Sequence, residues 1–138
     1  MVEENQITTL KLVEIFQSAF MDVSDITEDR FLVKGVQFPF TMHVNLASER
    51  KMISFTDYNP LHRISLSGAA ELCNEANKRF TLARFYAYEI KTSLVATCQY
   101  EMSFEKGIIP YQLISNFRMF ERIAGTAIQD FFKDYLRP

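Results

Sequence analysis

The chain has 138 residues, 48% of them hydrophobic, and a formal charge of −2 at pH 7. This length is typical of one domain with its own core, so we expect a single domain over residues 1–138. The 15 Lys and Arg are balanced by 17 Asp and Glu, whereas nucleic-acid-binding proteins usually carry a basic excess or a basic stripe. The composition therefore predicts no nucleic-acid partner.

The N-terminus and the cysteines indicate a cellular compartment. The first residues are acidic and polar, unlike a signal peptide, and no run approaches the ~18 apolar residues that span a membrane. Cys73 and Cys98 lie in segments predicted to be regular structure. Two cysteines are too few for a disulfide framework, so we expect two buried free thiols. Together these features predict a cytoplasmic protein.

The first predicted element is an amphipathic helix from Thr9 to about Met21. Either Thr8 or Thr9 can cap its N-terminus. Apolar residues recur at helical spacing. They predict a buried stripe that contains Ile7, Leu10, Val13, Phe16 and Phe20.

Three strands are predicted next, as an antiparallel meander. The first begins at Asp29, and the third covers Lys51 to Tyr58. Between them, apolar residues alternate for five steps and place one hydrophobic row on one face of a strand. Pro39 suggests that this strand is at an edge or begins there, and Asn59-Pro60 suggests a turn. The alternating row consists of Phe38, Phe40, Met42, Val44 and Leu46.

A helix, a hairpin and a long helix complete the order. Ser65 or Ser67 can cap the second helix. The strands 82–90 and 93–104 are joined by a tight turn at Lys91-Thr92. Pro110 suits the first position of the last helix. The order α-β-β-β-α-β-β-α predicts an α+β fold, in which helices pack on one face of a mostly antiparallel five-stranded sheet.

No group of residues in the sequence predicts catalysis or a metal site. His43 and His62 have no ligand cluster around them. Cys98 and His43 form a nucleophile and base only if the fold brings them together, and Glu101 with Glu105 is more typical of exposed charges. We therefore expect no enzyme activity, no metal and no cofactor.

Two asparagines on the second helix are candidates for a specific contact. Asn74 and Asn77 are three residues apart and share a helix face, although asparagine is a poor helix former. Their side chains are predicted either to tie the helix to the sheet or to contact a ligand or peptide.

The apolar rows exceed what one small core clearly needs. Either all of them are buried, or an apolar patch remains for a second copy of the chain or for a partner peptide. A two-fold dimer through the second helix is the self-association alternative. A small-molecule sensor with Asn77, Tyr88 and Tyr100 in an apolar pocket is the other alternative.

Several segments resemble the YbjN-like family. The resemblance covers about residues 7–132 and includes the order of elements. That family is described as candidate bacterial sensory transduction regulators and is similar in fold to type III secretion chaperones. The Lys91-Thr92 turn departs from its pattern, in which acidic and glycine residues are frequent. The matching residues are Ile7-Thr8-Thr9-Leu10, Asn74-Glu75-Ala76-Asn77-Lys78-Arg79-Phe80, Gly107-Ile108, Leu113, Phe117 and Phe120.

The resemblance implies a regulatory or chaperone-like protein without catalytic residues. Combined with the apolar surplus, it predicts that the domain binds a peptide or protein through an apolar groove or a strand edge. The predicted partner-binding residues are Phe38, Phe40, Met42, Val44, Leu72, Asn74, Ala76 and Asn77.

Overall fold

Residues 1–38 and 40–138 are described by a computed structural model, in which one antiparallel sheet of six strands has the order β1-β2-β3-β4-β6-β5. The predicted α+β fold and its element order are confirmed, with one additional short strand, β1. The prediction for Pro39 lies outside the described residues. The strands are β1 Val23–Ser24, β2 Arg30–Lys34, β3 Thr41–Ala47, β4 Met52–Leu61, β5 Arg84–Ile90 and β6 Ser93–Ser103.

The three helices begin where their capping residues stand. They are α1 Thr9–Ser18, α2 Leu66–Arg79 and α3 Pro110–Ala127. The Thr8 hydroxyl accepts a hydrogen bond from the Lys11 N–H at 3.1 Å, and the Ser65 hydroxyl accepts one from the Gly68 N–H at 3.0 Å. Pro110 opens α3, and a π-helical turn at Ile128–Phe132 and a 3-10 turn at Lys133–Tyr135 continue it. The predicted caps of α1 and α2 are confirmed.

One cluster of aromatic rings forms the centre of the core. Phe16 from α1 packs edge-on against Phe31 of β2, Phe55 of β4 and Phe117 of α3, with centroid distances of 5.6, 6.4 and 5.1 Å. Cys73 from α2 belongs to the same buried cluster. Because all three helices contribute to this cluster, they lie on one face of the sheet. Alternating residues of each strand point to the opposite face.

Strand β4 is longer than predicted, because Asn59-Pro60 does not form a turn. Pro60 lies opposite Val95 of β6, whereas β3 pairs with β4 only between Met52 and Thr56. Beyond Thr56 the outer side of β4 meets the C-terminal segment, and the Pro60 carbonyl accepts a hydrogen bond from the Arg137 N–H at 3.0 Å. Proline is tolerated here because its missing N–H faces the side without a ladder partner.

Candidate functional site

Three of the predicted partner-binding residues form the core. Met42, Val44 and Ala76 each have no exposed surface. The alternating row of β3 faces the helices, so its apolar residues pack inside the domain. The prediction that these three residues line an accessible groove is therefore wrong.

Phe38 and Phe40 precede β3 and help to hold the β2–β3 loop on α3. Their rings stack with centroids 5.7 Å apart, and both side chains are half-buried. A Cβ atom at Gly125 would collide with the Phe38 ring, so glycine allows this close approach. The predicted strand position of Phe38 and Phe40 is wrong, because β3 begins at Thr41.

Glu121 fixes the same loop and was not selected from the sequence. Its side chain is 2% exposed, and Oε2 accepts hydrogen bonds from the N–H groups of Gln37 at 2.7 Å and Phe38 at 3.1 Å. A signal existed, because Glu121 shares the apolar stripe of α3 with Phe117 and Ala124 at i, i+4 and i+7 spacing. A carboxylate on a buried stripe needs hydrogen-bond donors.

Asn77 ties α2 to the edge strand β5, which matches the predicted alternative of a helix tied to the sheet. Its Nδ2 donates to the Phe85 carbonyl at 2.8 Å, and its Oδ1 accepts from the Phe85 N–H at 2.8 Å. The amide therefore occupies the place of a neighbouring strand at that residue. Asn74 is exposed and, with Leu72, lines an open groove of about 840 Å³ beside Tyr135, whose lining mixes apolar and charged residues.

We expect Asn77→Ala to lower the free energy of unfolding by about 1–3 kcal/mol, because two backbone groups of Phe85 lose their partner. Asn74→Ala is the matched control and should change it by less than about 0.5 kcal/mol. Urea unfolding of both variants measures the difference. Equal effects would show that the Asn77 amide does not hold β5.

One accessible groove with a mainly apolar lining lies between α1 and α3. We call it the α1–α3 groove, and its volume is about 430 Å³. The N-terminal segment closes its base, because the Val2 N–H donates to the Ile108 carbonyl at 2.8 Å. Gly107 has a φ of 97°, and a Cβ there would collide with the Val2 carbonyl. The groove is lined by Val2, Lys11, Glu14, Ile15, Ser18, Ala19, Pro110, Tyr111, Ile114 and Arg118.

Four exposed hydrophobic residues lie in or directly beside the groove-lining segments. Leu10 is 71% exposed, Phe20 97%, Ile109 57% and Tyr111 79%. Leu10 and Phe20 were predicted to be on the buried stripe of α1, and this is wrong. The helix ends at Ser18, and its buried face is formed by Leu12, Val13, Ile15 and Phe16.

The charges at the groove are mostly positive. Lys11 pairs with Glu14 at 3.5 Å. Arg118 also lines the groove, and among residues 1–38 and 40–138 no carboxylate lies within 4.0 Å of its guanidinium. One cation in the groove is therefore free to meet an external carboxylate.

The groups considered for catalysis do not come together. Cys98 faces the core, whereas His43 points to the opposite face of the sheet. Burial raises the pKa of the Cys73 thiol to about 11 and raises that of Cys98 further, so both remain protonated at neutral pH. Tyr100 stacks on Phe55 in the core, on the other side of the sheet from Tyr88. Within the described residues no three His, Cys, Asp or Glu side chains are grouped as metal ligands.

Asp57 is a buried carboxyl on the core face of β4. It is 2% exposed and accepts one hydrogen bond, from Asn59 Nδ2 at 2.8 Å. Burial raises its pKa to about 6, and the bond from Asn59 opposes the rise. The carboxyl borders a cavity with Cys98 and Phe132 whose volume of about 10 Å³ is too small for a substrate.

Comparisons with known proteins identify the fold. The sequence matches no protein-family model and no curated protein. The structure matches the crystal structure of YbjN from E. coli, described as a candidate transcription regulator, over 100% of both chains, with a TM-score of 0.83 and 11% sequence identity. The YbjN-like fold predicted from the sequence is confirmed. No helix of the described residues is both long and apolar enough to cross a membrane.

Proposed function

Because the chain has the YbjN-like fold and an accessible apolar groove, we propose that it is a non-enzymatic regulatory or chaperone-like domain that binds an apolar segment of a partner protein. The α1–α3 groove is the proposed site. The observation that carries the proposal is the exposure of Tyr111, which lines the groove, and of Leu10, Phe20 and Ile109, each of which is adjacent in sequence to a lining residue. In a soluble domain, such a concentration of exposed hydrophobic surface is typical of an interaction site.

Phe20 adds a conformational argument for this surface. It has a φ of 63°, which is unfavourable for an L-residue by roughly 1–2 kcal/mol, and its ring is almost fully in water. The next residue, Met21, is buried at 6%. The strained turn therefore buries Met21 and presents the Phe20 ring outward. Burying such a ring against a partner contributes about 1.5–3 kcal/mol.

The groove also indicates the chemistry of its occupant. Apolar floor residues such as Ile15 and Ile114 favour aliphatic or aromatic side chains of the partner. Arg118 and Lys11 favour a carboxylate near them, although Glu14 neutralises part of the charge. An apolar segment with an adjacent Asp or Glu fits both features. The shared fold with a candidate transcription regulator supports a regulatory role, and two buried cysteines that form no disulfide fit a reducing cytoplasm.

Selection of a random peptide library displayed on phage against the intact protein tests the proposal. We expect enriched peptides to combine two or more large apolar residues with an acidic residue. Tyr111→Asp should weaken the binding of a selected peptide about 30-fold or more, as expected for a central aromatic contact. Because Tyr111 is exposed and an acid near a helix N-terminus is favourable, this variant should fold.

Two matched controls distinguish the groove from general effects of charge. Leu82→Asp adds a carboxylate at another exposed apolar residue and should leave peptide binding unchanged. Arg118→Glu should weaken binding, whereas Arg122→Glu, one turn further along the same helix and outside the groove, should not. If no peptide is enriched, or if Tyr111→Asp and Leu82→Asp act equally, the groove is not the binding site. If Tyr111→Asp instead dissociates a dimer in sedimentation, a second copy occupies the groove.

A further inference from the structure

The face of the sheet opposite the helices carries a cluster of tyrosines. Tyr58 of β4 and Tyr86 of β5 both lie opposite Thr97 of β6, one on each side. The rings of Tyr86 and Tyr88 stack with centroids 5.8 Å apart. Burial raises the pKa of Tyr86, and the proximity of Tyr58 and Tyr88 adds to the shift. The three rings therefore form one cluster, which we call the tyrosine face.

This cluster covers residues that no helix shields. Thr97 is 1% exposed and Val95 9%, although neither belongs to the core on the helix side. The short Thr97 side chain lies between two tyrosines, which bury its hydroxyl. Thr97 Oγ1 and His43 Nδ1 are buried without a hydrogen-bond partner among the described residues. The face thus contains polar groups that its own side chains do not satisfy.

Aromatic surface remains accessible on the tyrosine face. Tyr58 is 43% exposed. Its ring and the His43 ring pack in a T-shaped arrangement with their centroids 4.9 Å apart. Burial lowers the pKa of His43, and the charge of Arg30 lowers it further, so the imidazole is neutral at pH 7. Tyr88 is half-buried, and within its strand Tyr86 is the aromatic residue that stacks on it.

Cations stand at both ends of the face. Arg30 and Lys34 belong to β2, and the Arg84 guanidinium lies 5.1 Å from the Tyr86 ring centroid on the edge strand β5. By strand alternation, Glu101 is the acidic residue of β6 on this side, and Arg50 lies 4.0 Å from it. Four inter-strand spacings separate β2 from β5, which is about 19 Å. The face is therefore positive within a chain whose formal charge is −2.

We propose that the tyrosine face binds a short single strand of nucleic acid across the sheet, with bases stacked on Tyr58 and Tyr88 and phosphates near Arg84, Arg30 and Lys34. Stacking on aromatic side chains of an open sheet, with cations along the backbone path, is how many proteins hold single strands. About 19 Å between the two cationic ends accommodates a few nucleotides.

A nucleic acid fits this face better than a second copy or an apolar peptide does. A two-fold dimer through the face would bring two positive surfaces together, with like charges opposed. An apolar peptide would leave Arg84 and Lys34 without partners. Composition does not show such a surface, because these cations are far apart along the chain. Only the pairing of β2 with β3 and of β5 with β6 places them on one surface.

Fluorescence anisotropy of labelled oligothymidine and oligouridine tests the proposal at low salt. We expect a dissociation constant on the order of 10–100 µM, which increases as the salt concentration rises. Three phosphate contacts give a slope of about −2 for the logarithm of the association constant against the logarithm of salt concentration. Tyr58→Leu should weaken binding about 5-fold to 100-fold through the loss of a stacked base. Arg84→Gln should weaken binding too and make the salt dependence less steep, because one phosphate contact is lost. Arg84 is exposed, so its variant tests the face even if Tyr58→Leu perturbs the fold.

Tyr111→Asp, in the α1–α3 groove, is the control and should bind oligonucleotides like the unaltered protein. Absence of binding at low salt, or equal losses for Tyr111→Asp and Arg84→Gln, would overturn the proposal. Self-association that Arg84→Gln abolishes would overturn it too and would assign the face to a second copy. Because the groove and the face are tested by different variants, failure of one proposal leaves the other intact.

Discussion

Glu121→Ala is expected to lower the free energy of unfolding by about 3–5 kcal/mol. The carboxylate is buried and accepts two backbone hydrogen bonds, from Gln37 and Phe38, that hold the β2–β3 loop on α3. Alanine removes the acceptor of both N–H groups, of which that of Phe38 is half-buried and that of Gln37 is exposed, and each lost hydrogen bond to a charged group costs about 1.5–3 kcal/mol. Chemical denaturation at neutral pH measures the loss.

Glu121→Gln separates hydrogen bonding from side-chain size. Its amide oxygen can accept the same two bonds without the charge, so we expect a loss of only about 1–2 kcal/mol. Glu105→Ala, at an exposed carboxylate, should change stability by less than about 0.5 kcal/mol. A Glu121→Ala protein within about 1 kcal/mol of the unaltered one would refute the role assigned to this carboxylate.

Asp57→Asn is expected to stabilise the protein at pH 8 by up to about 3 kcal/mol. The pKa of Asp57 rises from 3.8 in the unfolded chain to about 6 in the folded one. The folded state therefore binds more protons between these values, and its free energy of unfolding falls as pH rises through that range. A shift of about two pKa units corresponds to about 3 kcal/mol. Asparagine at position 57 keeps a neutral acceptor for Asn59 and cannot ionise, so the free energy of unfolding no longer falls as pH rises.

The pH dependence distinguishes this effect from better packing. The stability difference between Asp57→Asn and the unaltered protein should be small below pH 4, grow between pH 4 and 6, and level off above pH 7. Urea unfolding at several pH values measures it, with Asp134→Asn as an exposed control. A difference that does not vary with pH would contradict the raised pKa of Asp57.

The sequence predicted the fold from its local signals. Thr8, Ser65 and Pro110 mark helix starts by local chemistry, and the alternation from Met42 to Leu46 marks a strand without reference to the rest of the chain. Asn59-Pro60 does not form the predicted turn, because its strand position depends on where β3 ends and where the C-terminal segment passes. Neither can be seen from neighbouring residues.

The site was less predictable because periodicity shows apolar rows but not what covers them. The strongest row, with Met42 and Val44, is fully covered by the helices. Leu10 and Phe20 match helical spacing with Val13 and Phe16. However, the buried face of α1 excludes Leu10, and the helix ends before Phe20. The cations of the tyrosine face come together only through strand order. Surfaces built from distant segments require tertiary structure.

Photo-cross-linking in living cells tests whether the α1–α3 groove contacts a partner protein. A benzoylphenylalanine is introduced singly at Tyr111 in the α1–α3 groove and, for comparison, at Phe40 and Leu82. We expect a discrete cross-linked adduct with another protein from Tyr111, its loss when Phe20→Asp is added, and no such adduct from Phe40 or Leu82. Adducts from Phe40 or Leu82 with none from Tyr111 would show that the interaction surface lies elsewhere on the domain.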